Sequence, residues 1–234
     1  MPFHAAPGGY MADVVNGSPE AVRVVLVDDH DLFRTGLRNL LEEQQGVQVL
    51  GEAADGLEAV RLVRDAAPDV VVMDLNMPKM SGVEATKHIT AQSPLTKVIV
   101  LTISDQDADV MDAIVAGACG YLLKDASIES VVSGIRSAAV GASLISPSIA
   151  SKVLQRVRST TADTEMASAI RAELSDRELE VLKLIANGKD NATIAADLVI
   201  SPKTVKNHIS NILMKLQIQN RIQAAVYAVR SGLA

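Results

Sequence analysis

Five residues in the first half of the chain have types that, gathered together, could move a phosphoryl group. Asp28 and Asp29 close one apolar run, VVLVDD, and Asp74 closes another, VVVMD. A carboxylate at the end of a buried run is costly unless something offsets its desolvation. Three carboxylates converging in one pocket repel each other, and a hard divalent cation such as Mg2+ resolves that repulsion through oxygen ligands. Thr102 closes VIVLT and Lys124 closes GYLLK. A lysine beside a carboxylate suits a phosphoryl oxygen, and a threonine hydroxyl suits another. The set describes Asp74 as a nucleophile toward phosphorus, with a cation neutralising charge. Simpler readings exist: Asp28 and Asp29 as caps of the following helix, Thr102 as an ordinary strand end. Two adjacent aspartates plus a third at another strand end exceed what capping needs. Cys119, His30 and His88 stand at no metal-ligand spacing and read as isolated residues.

The elements that must position these side chains follow from hydrophobic period. Short runs rich in strand-forming residues at 22–27, 47–51, 70–73, 98–101 and 120–123 alternate with helical patterns at 32–43, 56–66, 82–90, 108–116 and 128–139. Strands alternating with helices predict βαβ units and a parallel sheet. The strands are continuously apolar, as expected where helices cover both faces. In such a doubly wound α/β sheet, ligands sit beyond the carboxyl ends of strands, at the switch point. The five polar residues all fall at carboxyl ends.

After residue 145 the pattern changes. The sequence predicts a disordered tail over 1–20, an α/β domain over 21–145, a helix (148–157) and polar linker within 146–171, and an all-α domain over 172–234. In the last, Ser175 and Glu178 form a capping box, Gly188 ends the helix, Asn191 caps a second helix, Ser201-Pro202 opens a third and Asn220 caps a fourth. The net charge is −6, which by itself argues against a nucleic-acid partner, but the charge is unevenly placed. Residues 21–150 hold 10 Lys+Arg against 18 Asp+Glu, a balance of −8; residues 172–234 hold 8 against 6, a balance of +2. An acidic module is joined to a mildly basic one. One cysteine excludes an intrachain disulfide. The absence of a signal-peptide pattern and of a membrane-length apolar stretch predicts a cytoplasmic protein with no membrane partner.

VVLVDDH, VVVMDLNMPKMSG, VIVLT and GYLLKDA resemble the receiver domain of two-component response regulators over about residues 23–140. The resemblance implies a flavodoxin-like five-stranded fold, with Asp74 as phosphoacceptor. It implies that Asp28, Asp29, Asp74 and the Asn76 carbonyl bind Mg2+, that Lys124 pairs with the phosphoryl group, and that Thr102 and Tyr121 are the switch residues. A histidine kinase is the implied partner.

In SPKTVKNHISNILMKL, Val205, Ile209, Ile212 and Leu216 share one helical face. Lys203, Asn207, Ser210 and Met214 lie opposite, flanked by Lys206 and Asn211. Lysine, asparagine and serine suit phosphates and base edges in a major groove. Residues from LSDRELE to VRSG resemble the LuxR-type helix-turn-helix domain, and a receiver followed by it is the NarL/FixJ architecture. That implies Lys206, Asn207 and Ser210 at base edges, with Lys203, Thr204, Asn191 and His208 near phosphates. Ala192 and Met214 depart from the family, standing where basic residues are common. The fourth helix predicts an inward stripe of Ile222, Val226, Val229 and Leu233, and a homodimer face of Ala224, Tyr227 and Ala228. A two-fold dimer would read a roughly palindromic site on double-stranded DNA.

The sequence therefore predicts a DNA-binding regulator switched at Asp74. One alternative is a phosphorylation-independent regulator whose receiver is only a dimerisation module. Another, a phosphatase, lacks a second acid beside Asp74, where Leu75 and Asn76 follow.

Overall fold

The computed structural model describes residues 21–104, 106–145, 149, 153 and 173–233. The expected tail at 1–20, and most of the expected helix and linker at 146–171, fall outside these residues. Ile149 and Val153 are helical and buried.

The sheet runs β2-β1-β3-β4-β5-β6, every pair parallel. Its strands are β1 (Val22–Val27), β2 (Val47–Ala53), β3 (Val70–Met73), β4 (Lys97–Thr102), β5 (Gly120–Leu123) and β6 (Leu144–Ile145). The first five are those the sequence marks; the sixth, two residues long, extends the edge beyond β5. β3 is buried along its whole length, because α1 (Asp31–Glu42) and α5 (Ile128–Ala139) cover one face while α2 (Gly56–Ala66) and α3 (Gly82–Gln92) cover the other. α4 (Asp107–Val115) packs with Val100 and Tyr121 in a further cluster. β1 lies between β2 and β3, so the connections reverse direction there. This is the switch point, and it brings Asp28, Asp29 and Asp74 side by side.

The second unit comprises α6 (Asp176–Ala186), α7 (Asn191–Leu198), α8 (Pro202–Lys215) and α9 (Arg221–Arg230). Ser175 and Glu178 form the expected capping box, and Ser201 caps α8 ahead of Pro202. The cap of α7 is Asp190, one residue before the expected Asn191. Both types can cap, and the Asp190 carboxylate accepts from the Thr193 amide at 2.7 Å. Val205, Ile209 and Ile212 face the core as expected.

α9 corrects an expectation. Ala224 and Ala228 are fully buried in the helical core rather than presented as a dimer face, and Tyr227 is partly buried against them. Their small side chains let α9 lie close to α6. Ile222, Val226 and Val229, expected to point into that core, pack instead on the α/β domain, in the cluster holding Val110, Ile114 and Tyr121. Val229 also touches the helical core, where Leu233 is buried.

Candidate functional site

At the carboxyl ends of β1 and β3, Asp28 and Asp74 are buried and Asp29 stands at the rim. The turn after each strand fixes them. The Asp74 Oδ1 atom accepts from the Leu75 amide at 2.7 Å, and Asp28 Oδ1 accepts from the His30 amide at 2.9 Å. Lys124, delivered by β5, reaches between them: its Nζ lies 2.6 Å from Asp28 Oδ2 and 2.8 Å from Asp74 Oδ2. Burial alone would depress the Lys124 pKa, but the two carboxylates outweigh it and raise it above the ordinary lysine value. The Phe33 ring lies 4.7 Å from the same Nζ, a cation–π contact that the sequence reading missed.

Asp28, Asp29, Asp74 and His30 offer ligand atoms all within 4.8 Å of one another, so this acidic cluster could hold a metal ion. Its carboxylate oxygens fit a hard divalent cation. His30, read from sequence as isolated, belongs to the cluster: its Nδ1 lies 2.8 Å from Asp29 and 3.3 Å from Asp28. The signal was local, since His30 directly follows Asp28 and Asp29, and only Asp74 comes from a distant strand end. Asn76 is exposed just beyond Asp74.

Thr102 is fully buried beside the pocket. Its Oγ1 accepts from the Ser104 amide at 3.4 Å, and the Ser104 carbonyl accepts from the Tyr121 hydroxyl at 2.9 Å. Tyr121 is buried in the cluster that receives Ile222 from α9. A continuous path thus runs from the acidic pocket to the helical domain.

Polar bonds reinforce that contact. Asn220 Nδ2 donates to the carbonyls of Gly117 and Ala118, each at 3.0 Å. Gln223 Nε2 donates to those of Ile114 at 2.9 Å and Val115 at 3.2 Å. The Ile114 and Val115 carbonyls belong to the last turn of α4, and those of Gly117 and Ala118 to the turn that follows it. Asn220 still caps α9 through Oδ1, which accepts from the Gln223 amide at 3.0 Å. The sequence marked Asn220 as a cap; nothing in it marked a cross-domain donor.

On α8, Lys203, Lys206, Asn207, Ser210 and Asn211 are exposed, and Thr204 and His208 are partly so. Thr204 Oγ1 lies 2.8 Å from Ser201 Oγ. Lys206 and Ser210, with Asn191 from α7, line a crevice whose opposite wall is Lys97, Ala138, Val140 and Gly141 of the α/β domain. Part of the expected DNA face therefore looks at the other domain.

Comparisons with known proteins agree with this architecture. Residues 24–136 match the response regulator receiver domain family, and residues 172–228 match the bacterial regulatory proteins of the luxR family. Transcriptional regulatory protein LiaR of Bacillus subtilis (strain 168) is 45% identical over 212 residues, covering 91% of this chain and 99% of that protein. Response regulator protein VraR of Staphylococcus aureus is 39% identical over 212 residues, covering 91% and 98%. Among solved structures, response regulator ChrA of a heme-sensing two-component system is 35% identical, covers 92% of this chain and 99% of that one, and superposes with a TM-score of 0.51. With the acidic pocket at one end and a helix-turn-helix unit at the other, the chain belongs to the response regulators that join a receiver domain to a LuxR-type DNA-binding domain, the transcriptional regulators of two-component systems.

Proposed function

We propose that phosphorylation of Asp74 by a partner histidine kinase releases the helical domain to dimerise on DNA. The observation that carries this reading is the buried Asp74 carboxylate, with Lys124 Nζ 2.8 Å away and two further aspartates beside it. A carboxylate oxygen of Asp74 attacks phosphorus; the P–O bond of an acyl phosphate forms as the P–N bond to the kinase imidazole breaks, and that imidazole takes up a proton. Mg2+ held by Asp28, Asp29, Asp74 and the Asn76 carbonyl would neutralise the phosphoryl oxygens. Lys124 turns from its carboxylate partners to the new phosphoryl group. The buried Thr102 hydroxyl follows, drawing on Ser104 and so on the Tyr121 hydroxyl bound to it.

That movement loosens the seat of Ile222 and the end of α4. In the closed arrangement the receiver stands across Lys206 and Ser210, so a duplex cannot approach that face of α8. Opening frees it, and frees the apolar Ile222, Val226 and Val229 face of α9 for a second copy. A solved structure of a relative at 25% identity and TM-score 0.53 is described as two RcsB dimers bound to two parallel DNAs, which supports a dimeric DNA complex here. The DNA is then a roughly palindromic duplex, Lys206, Asn207 and Ser210 are its base-edge readers, and the protein acts in the cytoplasm.

The test compares DNA binding and mass in solution, with and without Mg2+ plus beryllofluoride, for the wild type and Asp74→Asn. Beryllofluoride stands in for the phosphoryl group. Dimerisation and DNA binding tightened on the order of 10–100-fold in the wild type alone would uphold the reading, a range set by usual coupling energies. Equal, reagent-independent binding by both as dimers would instead make the receiver a dimerisation module.

A further inference from the structure

We propose that the crevice between receiver and helical domain binds a small phosphate-type anion that fastens the closed arrangement. The inference rests on the closed arrangement being the resting form. The crevice has a volume of about 240 Å3 and is walled by both domains. Three of its lining side chains are cations, Lys97 from the receiver and Lys206 and Arg221 from the helical domain, and none is a carboxylate. Hydroxyls of Ser143 and Ser210 face the same space.

Arg221 is the anchor. It is partly buried, and among the described residues no carboxylate lies within ion-pair distance of its guanidinium. One nitrogen donates to Asn191 Oδ1 at 2.6 Å and another to the Lys189 carbonyl. Asp190, the acid whose charge it feels, is committed to the Thr193 amide as a helix cap. A guanidinium has five N–H donors, so several remain for a ligand. Partly buried cations are normally paired, and a planar guanidinium matches phosphate geometry. The Cys119 thiol in the wall adds no negative charge, since burial pushes its pKa up to about 11.

Volume sets the size of the guest. A water takes about 30 Å3 of liquid, so the space exceeds a few waters. It falls short of the roughly 300–1,000 Å3 of drug-sized pockets. Inorganic phosphate, pyrophosphate or a three-carbon phosphate ester fits within it. Such an anion would join Lys97 to Lys206 across the domain boundary, occupy Lys206 in place of DNA, and oppose activation by mass action on the closed form.

The test uses the full chain in Mg2+-free buffer at constant ionic strength, with inorganic phosphate, pyrophosphate and 3-phosphoglycerate as probes. Binding is followed by calorimetry and shape by small-angle scattering, for the wild type, Lys97→Gln and Gln223→Glu. Gln223 does not line the crevice, and a carboxylate in its place faces the Ile114 and Val115 carbonyls, opening the domains. The expected result is one saturable site in the wild type. It is weakened at least tenfold in Lys97→Gln and in the extended Gln223→Glu, with DNA affinity lowered by the probe only in the wild type. Tighter binding of the ester than of phosphate would assign a metabolite, and equal binding the free ion. Saturable binding unchanged by Lys97→Gln would place the anion on the helical domain alone and overturn the proposal. So would no saturable binding by a wild type that scattering finds compact, which leaves the closed reading standing. A wild type that is already extended would remove the closed reading, and this proposal with it.

Discussion

Lys124 holds two buried carboxylates at once, and its removal exposes what each contributes. Lys124→Met is expected to leave Asp28 and Asp74 uncompensated, costing on the order of 3 kcal/mol, as when one member of a buried pair is lost, and to abolish the beryllofluoride response. The pH dependence has a definite sign. The folded-state pKa of Lys124 is raised, so its stabilisation is complete below the unfolded lysine value of about 10.4 and is lost as pH rises through the folded value. Urea midpoints of the wild type should therefore fall more steeply than those of Lys124→Met in that alkaline window, and a parallel decline would refute the pairing. Gly82 is a second sensitive position. A Cβ there would sit 2.8 Å from both the Asp74 carbonyl carbon and Leu75 Cα, backbone that cannot yield without moving the nucleophile. Gly82→Ala should cost about 1–3 kcal/mol in denaturant unfolding, the usual range for overpacking, and slow labelling of Asp74 by a small-molecule phosphodonor.

At the level of elements, helix ends decide most outcomes. Glu178 is buried; burial would raise its pKa, but Lys215 at 2.7 Å and the Ser175 amide at 2.8 Å outweigh that and hold it below the ordinary value. Its stabilisation is present above the unfolded carboxylate pKa of about 4.3 and is lost as pH falls through the folded value. Glu178→Gln should cost roughly 1–2 kcal/mol at neutral pH and flatten the acid limb of unfolding seen in the wild type. Val199, at the end of α7, has φ +53 and is 90% exposed, a β-branched residue in left-handed backbone with no contact that requires it. Val199→Gly should raise the thermal midpoint, with a gain of about 0.5–1 kcal/mol. The five main strands were legible in the sequence because short apolar runs, Val-rich in β1, β3 and β4 and bounded by polar residues, leave little freedom in where a buried strand lies. The α7 cap was off by one because Asp190 and Asn191 are adjacent and chemically able to do the same work. The α9 faces were inverted for a deeper reason. A stripe of Ile and Val looks alike whether it meets its own core or a second domain, and the alanines that truly face the core carry too little apolar surface to announce it.

For the whole molecule, the closed form depends on amides that cross the domain boundary. Asn220→Asp combined with Gln223→Ala should raise the radius of gyration and give the unphosphorylated protein DNA affinity within a few-fold of the activated wild type. Compact scattering from that double variant would show that apolar packing of Ile222 suffices to hold the domains. The acidic pocket could be read from sequence because its residues sit at strand ends that the fold must bring together. The crossing could not, since Asn220 and Gln223 bond to backbone carbonyls, which any sequence supplies.

Gly117 sits at that crossing with φ +107, and a Cβ on it would run into the Gln219 side-chain oxygen and stand 2.9 Å from Thr90 Cγ2. The Gln219 side chain is exposed and ends in a flexible amide that can swing aside, so the cost of a larger residue falls on the receiver itself, in its left-handed backbone and against Thr90. A receiver carried onto any other output domain would bring this demand for glycine with it.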